Sequence, residues 1–303
     1  MGGRACRPQF VDRGGSASVP ARHAGLMSRR RPLPEDLCAA PFTHGEAKAH
    51  GVSIDRLLAS DVQRFAHGLY RHRPLELRRW ADLGLPDPEH GLDPQSLAAL
   101  LEATGGALSH QSAAHLYRIP LPPWLADEPD LQITGPGPEL RSRRPGISGH
   151  RRPLDPADVV VRHGLPCTGP ERTWLDLASL LRPGQEAHLV AAGDHLVKHP
   201  WLNGGRMEPV STPWDLERAL IRVGRFKGVR LARAALPRIR VGADSPTETL
   251  VRLTLVDAGL PEPELQVHAT SLPGDPYPAD LAIAASGSPC SMTASTTAPR
   301  SSS

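Results

Sequence analysis

Apolar positions along this chain fall into short blocks of helical or strand spacing, set apart by cap and turn residues. Thr43, His44, Gly45 and Glu46 have capping-box spacing, which predicts a short helix to about His50 closed at Gly51. Ser53 stands where it can cap a second helix from Ile54 to about Ser60, with Asp55 in its first turn. Val62 to Arg71 reads as two extended stretches about a turn at His67 and Gly68. Further on, residues 96–103 and 110–117 carry helical apolar spacing, and Leu131–Thr134 and Val159–Arg162 read as strands. His163 and Gly164 turn the chain into Leu165–Thr168. Thr168 to Glu171 repeats the capping-box pattern with Pro170 at the first helical position; Trp174, Leu175, Leu177, Ala178 and Leu181 follow on one face. Another helix is predicted from Gln185 to Val197. Ser245 to Glu248 opens a further capped helix, which runs to Ala258 and is closed by Gly259. Glu264–His268 and Ala279–Ile283 read as strands for that helix to cover.

The order helix, tight turn, helix, hairpin is that of a winged helix-turn-helix, which we assign to residues 34–73. Residues 74–240 form a mixed α/β region, and residues 241–283 open a further α/β unit, so the fold class is α+β with mixed α/β parts. Residues 1–33 lack a hydrophobic period and are expected to be a disordered extension, with Met27 as the natural start. From Ala284 the periodic pattern ends. Residues 284–303 are mostly Ala, Ser, Thr, Gly and Pro, too little apolar area to offset the entropy of ordering them. A shifted reading frame is one explanation. Because Met has a single codon, the frame starting on the third base places Asp across Met292 and Thr293, and GC-rich codons around it give an apolar strand with an acidic, His-rich end. The last unit is therefore expected to be incomplete.

Composition changes this picture only a little. Pro (33) and Gly (28) are abundant, which fits loop-rich connections between folded parts. Lys occurs only at Lys48, Lys198 and Lys227, so basic charge rests on Arg; GC-rich coding accounts for that bias more simply than ligand binding. A net charge of +3 does not by itself argue for nucleic acid. Cys6, Cys38, Cys167 and Cys290 show no paired spacing, which excludes a Cys-based metal site or a disulfide framework. No apolar run is long enough to span a bilayer and no signal peptide is visible, so a soluble, cytoplasmic protein without a membrane partner is expected.

Candidate chemistry lies at the two ends. In the predicted winged helix, Ser53, Arg56 and Ser60 on the second helix would face the major groove, and Arg64, His67 and Arg71 on the hairpin would meet phosphate or the minor groove. Asp55 counts against phosphate contact there, and a solvated Ser/Arg face is the plain alternative. Glu248 sits where a capping-box Glu belongs, so a cap explains it as readily as a ligand role. Asp280 stands between apolar neighbours in a strand, where an unpaired carboxylate is costly. His110 and His115 are not spaced for metal binding, and His110 is expected to pack or hydrogen-bond near the start of its helix.

Asp244 to Thr249, Ala258 to Pro263 and Ala279 to Leu281 resemble the opening of a PD-(D/E)XK nuclease domain, closest to the very-short-patch-repair-like endonuclease domains of actinobacterial proteins. Phe42 to Arg71 is similar to the winged helix of AbiEi-type antitoxins. Ser109 to Ala113, Val159 to Pro166 and Pro170 to Trp174 resemble the domain that follows it. The resemblance spans Met27 to Ile283 and implies Glu248 and Asp280 as catalytic and Mg²⁺-binding carboxylates. It also implies double-stranded DNA as partner and a cognate toxin gene product as a further one. The family's next strand carries Glu or Gln, one residue, then Asp-Gly, and this chain has no such segment. The expected function is thus DNA binding with a truncated, inactive nuclease unit. The alternatives are an antitoxin-like transcriptional autoregulator and a gene product without stable function.

Overall fold

The computed structural model describes residues 31–83, 92–136, 146–152, 154–202, 204–270, 276–285 and 288–292. The expected disordered extension up to residue 30, with Met27, and the end of the expected tail from residue 293 lie outside these residues.

Helix α1 (Glu35–Ala39), strand β1 (Phe42–Thr43), helices α2 (His44–Ala49) and α3 (Ile54–Leu57), and strands β2 (Val62–Ala66) and β3 (Leu69–His72) come first. The strands form a sheet in the order β1-β3-β2, all pairs antiparallel. Local chemistry sets the boundaries. Glu46 N donates to Thr43 Oγ1 (3.1 Å) and Thr43 N donates to Glu46 Oε2 (2.6 Å), which completes the capping box predicted for α2. Ser53 Oγ accepts from Arg56 N at 3.3 Å, but α3 ends at Leu57, short of the predicted Ser60, because Leu58 already forms the C-cap. The helices and the strand faces beneath them bury Leu37, Phe42, Ala47, Leu57 and Val62 in a small core.

After a 3₁₀ turn (Trp80–Leu83) come α4 (Pro94–Thr104), β4 (Ala107–Leu108), α5 (His110–Leu116), α6 (Pro123–Ala126), β5 (Leu131–Gly135), β6 (Ile147–Arg151), β7 (Val159–Arg162) and β8 (Leu165–Thr168). The five strands make one mixed sheet in the order β6-β5-β4-β8-β7. Helices α7 (Pro170–Ala178) and α8 (Glu186–Val197) follow, then the two-stranded ribbon β9 (Trp201–Leu202) and β10 (Gly205–Arg206), then α9 (Pro213–Val223) and α10 (Val229–Ala235). The expected capping box at Thr168 does not form. Thr168 is the last residue of β8, its hydroxyl meets Thr173 Oγ1 at 2.7 Å, and Gly169 is the N-cap. Trp174 is fully buried, and its indole N–H donates to Leu189 O at 2.9 Å, joining α7 to α8.

Helix α11 (Pro246–Asp257) and strands β11 (Glu264–Thr270), β12 (Pro276–Ala285) and β13 (Ser288–Met292) complete the chain, with an antiparallel sheet in the order β11-β12-β13. Two expectations change here. The stretch from Ala284 is not wholly without structure, since Ser288–Met292 pairs with Leu281–Ala285. Small and polar composition argues against a buried core, whereas strand pairing needs only main-chain N–H and C=O groups. The boundary between residues 240 and 241 also does not separate two cores. Leu253 of α11 belongs to the main core, as do Ala66 and Leu69 of the β2–β3 hairpin, so all three predicted units share it.

Candidate nucleic-acid interface and the carboxylate region

Backbone geometry positions the hairpin against the helices. Gly51 (φ 69°) ends the α2 turn and Gly68 (φ 69°) makes the hairpin turn, both in the left-handed region that favours glycine. His44 N donates to Gly68 O at 2.7 Å, which fixes the start of α2 beside the hairpin tip. The β2–β3 register shifts between Arg64 and Ala66; such an irregularity re-aims the side chain next to it. Arg64 is exposed, with Nε on Ala66 O (3.1 Å) and Nη2 against His67 Nδ1 (2.9 Å); His67 is exposed too. These two side chains have no carboxylate partner among the described residues.

The other predicted DNA-facing residues are differently placed. Arg56 donates to both carboxylate oxygens of Asp61 (2.9 and 2.7 Å) and to Arg31 O (2.7 Å), and its side chain is only 11% exposed. That guanidinium holds the Asp61 carboxyl below its ordinary range. Arg71 reaches away from the surface: it donates to Gln63 Oε1 (3.1 and 2.9 Å), to Ser96 Oγ (3.2 Å) and to Asp93, the N-cap of α4. Both arginines are therefore engaged inside the fold, which removes them from the DNA-facing set. Ser53 is exposed and occupied as a cap, and Ser60 and Asp55 are exposed. The outer face of α3 is apolar, with Ile54 66% and Leu58 76% exposed. Sequence spacing alone could not separate Arg64 from Arg56, because Asp61 lies five residues from Arg56 across a helix end.

In the carboxylate region, Ser245 Oγ caps Glu248 N at 3.2 Å. Glu248 Oε2 accepts from Asp244 N at 2.9 Å, one residue earlier than in a capping box, and from Gln266 Nε2 at 3.4 Å. Arg206 Nη1 donates to Asp244 at 2.9 Å. Asp280 is half-buried on β12, between residues that pair with β11. Gln266, facing it along the ladder, has φ 55°. Among the described residues no group of three His, Cys, Asp or Glu is gathered to hold a metal ion. With one Glu248 oxygen already accepting two hydrogen bonds and Asp244 neutralised by Arg206, this donor set does not fit Mg²⁺, and no catalytic step is derived through it.

A polar cluster in the five-stranded sheet was visible in the sequence only as the Ser109–Ala113 resemblance. Thr134 Oγ1 donates to Ser109 Oγ (2.8 Å), and Ser109 Oγ meets His110 Nδ1 (2.9 Å). The His110 and His150 rings stack with centroids 4.0 Å apart, and His150 Nε2 donates to Gln132 Oε1 at 2.6 Å. Burial pushes both imidazoles toward their neutral forms, as do nearby positive charges. The expectation that His110 packs and hydrogen-bonds at the start of its helix matches this geometry. Among the described residues no helix is long and apolar enough to cross a membrane.

No family model matches the chain, and no curated protein matches it. Among solved structures, the crystal structure of the RV2827C protein from Mycobacterium tuberculosis is 20% identical, with a TM-score of 0.37. The match covers 65% of this chain and 71% of that one, and at this TM-score it carries no argument about fold or function.

Proposed function

We propose that residues 34–73 form a winged helix-turn-helix that binds duplex DNA through the tip of its β2–β3 hairpin. The observation that carries this reading is the exposed Arg64–His67 pair beside the glycine turn, two side chains joined to each other at 2.9 Å with no carboxylate in reach among the described residues. An arginine fork and an imidazole so placed suit phosphate oxygens or the edge of a minor groove. The order of three short helices and a β1-β3-β2 sheet supports the same reading. The test is fluorescence anisotropy of a labelled duplex with the full chain. Arg64→Ala with His67→Ala is expected to weaken binding at least about tenfold, the loss of one to two charge-assisted contacts. Unchanged affinity removes the hairpin from the interface.

A second reading, the antitoxin-like autoregulator that also holds a protein partner, is favoured by the apolar outer face of α3. Ile54 and Leu58 lie one helical turn apart and are more than half exposed. Co-purification with the product of a neighbouring toxin-type gene, lost in the Ile54→Ser, Leu58→Ser variant while duplex binding persists, supports this reading. Loss of duplex binding instead assigns that face to DNA.

A further inference from the structure

The Ser109–His110–His150 cluster is rich in positive charge and poor in free carboxylate. His150 is half-buried on β6, and His110 lies beneath it at 5% exposure. Arg152, half-buried two residues along from His150, and exposed Lys227 have no carboxylate partner among the described residues. Arg172, 5% exposed, donates through Nε to Asp176 (3.0 Å) and through Nη1 to Asp158 (3.1 Å), but its buried Nη2 has no partner. The nearby carboxylates are committed: Asp158 also receives Arg222, and Asp176 receives Arg172. Cationic groups thus run inward from Lys227 at the surface through Arg152 and His150 to His110 and Arg172. Such an arrangement focuses a field that draws anions inward.

Two further observations point to a ligand rather than a settled core. His110 is held at φ 51°, a conformation that non-glycine residues rarely adopt and that persists where the surroundings enforce it. The Thr134 to Ser109 hydrogen-bond chain ends on His110 Nδ1, which leaves Nε2 as the ring's remaining polar atom. Stacked imidazoles 4.0 Å apart cannot both accept a proton unless an anion lies beside them.

We propose that His110 and His150, with Arg152 and Lys227, form a binding site for a phosphate group, distinct from the hairpin interface. A tetrahedral dianion accepts several hydrogen bonds at once, which suits donors arriving from α5, β6 and the segment before α10. The phosphate comes either from a small molecule or from a nucleic-acid backbone, and the chemistry at the site is the same. The electrostatics agree, since the charges of His150, Arg152, Arg172 and Lys227 all act on His110.

The test follows the histidine imidazole NMR signals of the full chain during titration with inorganic phosphate, against chloride at equal ionic strength. Saturable shifts of His110 and His150 are expected, weakened at least about tenfold in the Arg152→Ala, Lys227→Ala variant, whose replaced side chains lie at or near the surface. A charge-reversed Lys227→Glu chain, with unchanged circular dichroism, should lose the response as well. A short duplex that produces the same shifts, in competition with phosphate, identifies the backbone as the source; a duplex without effect identifies a small phosphate. The Arg64→Ala, His67→Ala variant should respond to inorganic phosphate as the parent does, so failure of the hairpin reading leaves this one standing. Equal shifts with chloride, no saturable shift with phosphate or duplex, or an undiminished response in the Arg152→Ala, Lys227→Ala variant overturns the proposal.

Discussion

Arg252 of α11 donates to the Asp194 carboxylate of α8 at 3.1 Å, and both side chains are 1% exposed. Asp194 also accepts from Arg240 N (2.7 Å) and Thr249 Oγ1 (2.8 Å), while Arg252 reaches Arg238 O (2.8 Å) and Glu262 (2.7 Å). Burial pushes the Asp194 carboxyl up, against these hydrogen bonds and the arginine charge. The network fastens the last helix to the central one, so the chain beyond residue 240 is anchored wherever its sheet ends.

Removing one partner should leave the other buried and uncompensated. Arg252→Met is expected to cost about 3–5 kcal/mol in urea unfolding at neutral pH. Replacing Asp194 by Asn in the same chain should recover part of that loss, because the bare carboxylate is then gone. Additive losses in the double variant contradict the coupling.

Arg71 and Arg64 should separate cleanly in their effects. Arg71→Ala breaks the contacts from the hairpin to Asp93 and Ser96 and is expected to destabilise the chain by about 2–3 kcal/mol. Arg64→Ala, at an exposed site, should change stability by less than about 0.5 kcal/mol. Thermal unfolding of the two variants side by side decides this; a larger loss for Arg64→Ala contradicts the division of roles.

Much of this arrangement was legible in the residues. Thr43 with Glu46, Ser53 and Ser245 mark helix starts through local hydrogen bonds, and local rules find them. What was not legible depends on long-range partners. Arg56 and Arg71 look like surface arginines until Asp61 and Asp93 are brought beside them. Thr168 reads as a cap until β8 claims it. The Ser109–His110 pair gains its meaning only when β6 places His150 against it. The shared core was hidden for the same reason, since Ala66, Leu69 and Leu253 give no local sign of packing together.

His110 predicts an acid-side loss of stability. Its folded-state pKa lies well below the 6.5 of a free imidazole, because burial and neighbouring cations oppose the charged form. The unfolded chain therefore binds a proton below about pH 6.5 that the folded chain refuses. Stability should be level above that pH and fall below it, by up to about 1.4 kcal/mol per pH unit for this one group. His110→Asn, which tolerates the left-handed backbone, should give a shallower decline between pH 6.5 and 5. An equally steep decline contradicts the assignment.

Gly228 closes the approach of α10 to α7. It has φ 95°, and a Cβ there would lie 2.2 Å from Ala178 O, a backbone atom that cannot move aside. Gly228→Ala is expected to cost about 3 kcal/mol, from overpacking and backbone strain together, as read from the unfolding midpoint. A loss below about 1 kcal/mol contradicts this close approach.

The central claim, that the β2–β3 hairpin meets DNA through Arg64 and His67, is tested most directly by the salt dependence of duplex affinity. The logarithm of affinity against the logarithm of salt concentration should be linear for the parent chain. Its slope should be shallower by about 1 in the Arg64→Ala, His67→Ala variant, for one lost phosphate contact. Arg56→Lys, which keeps the charge of a residue engaged with Asp61, should leave the slope unchanged. A slope that stays the same in the hairpin variant, or no salt-dependent binding by the parent chain, contradicts the account.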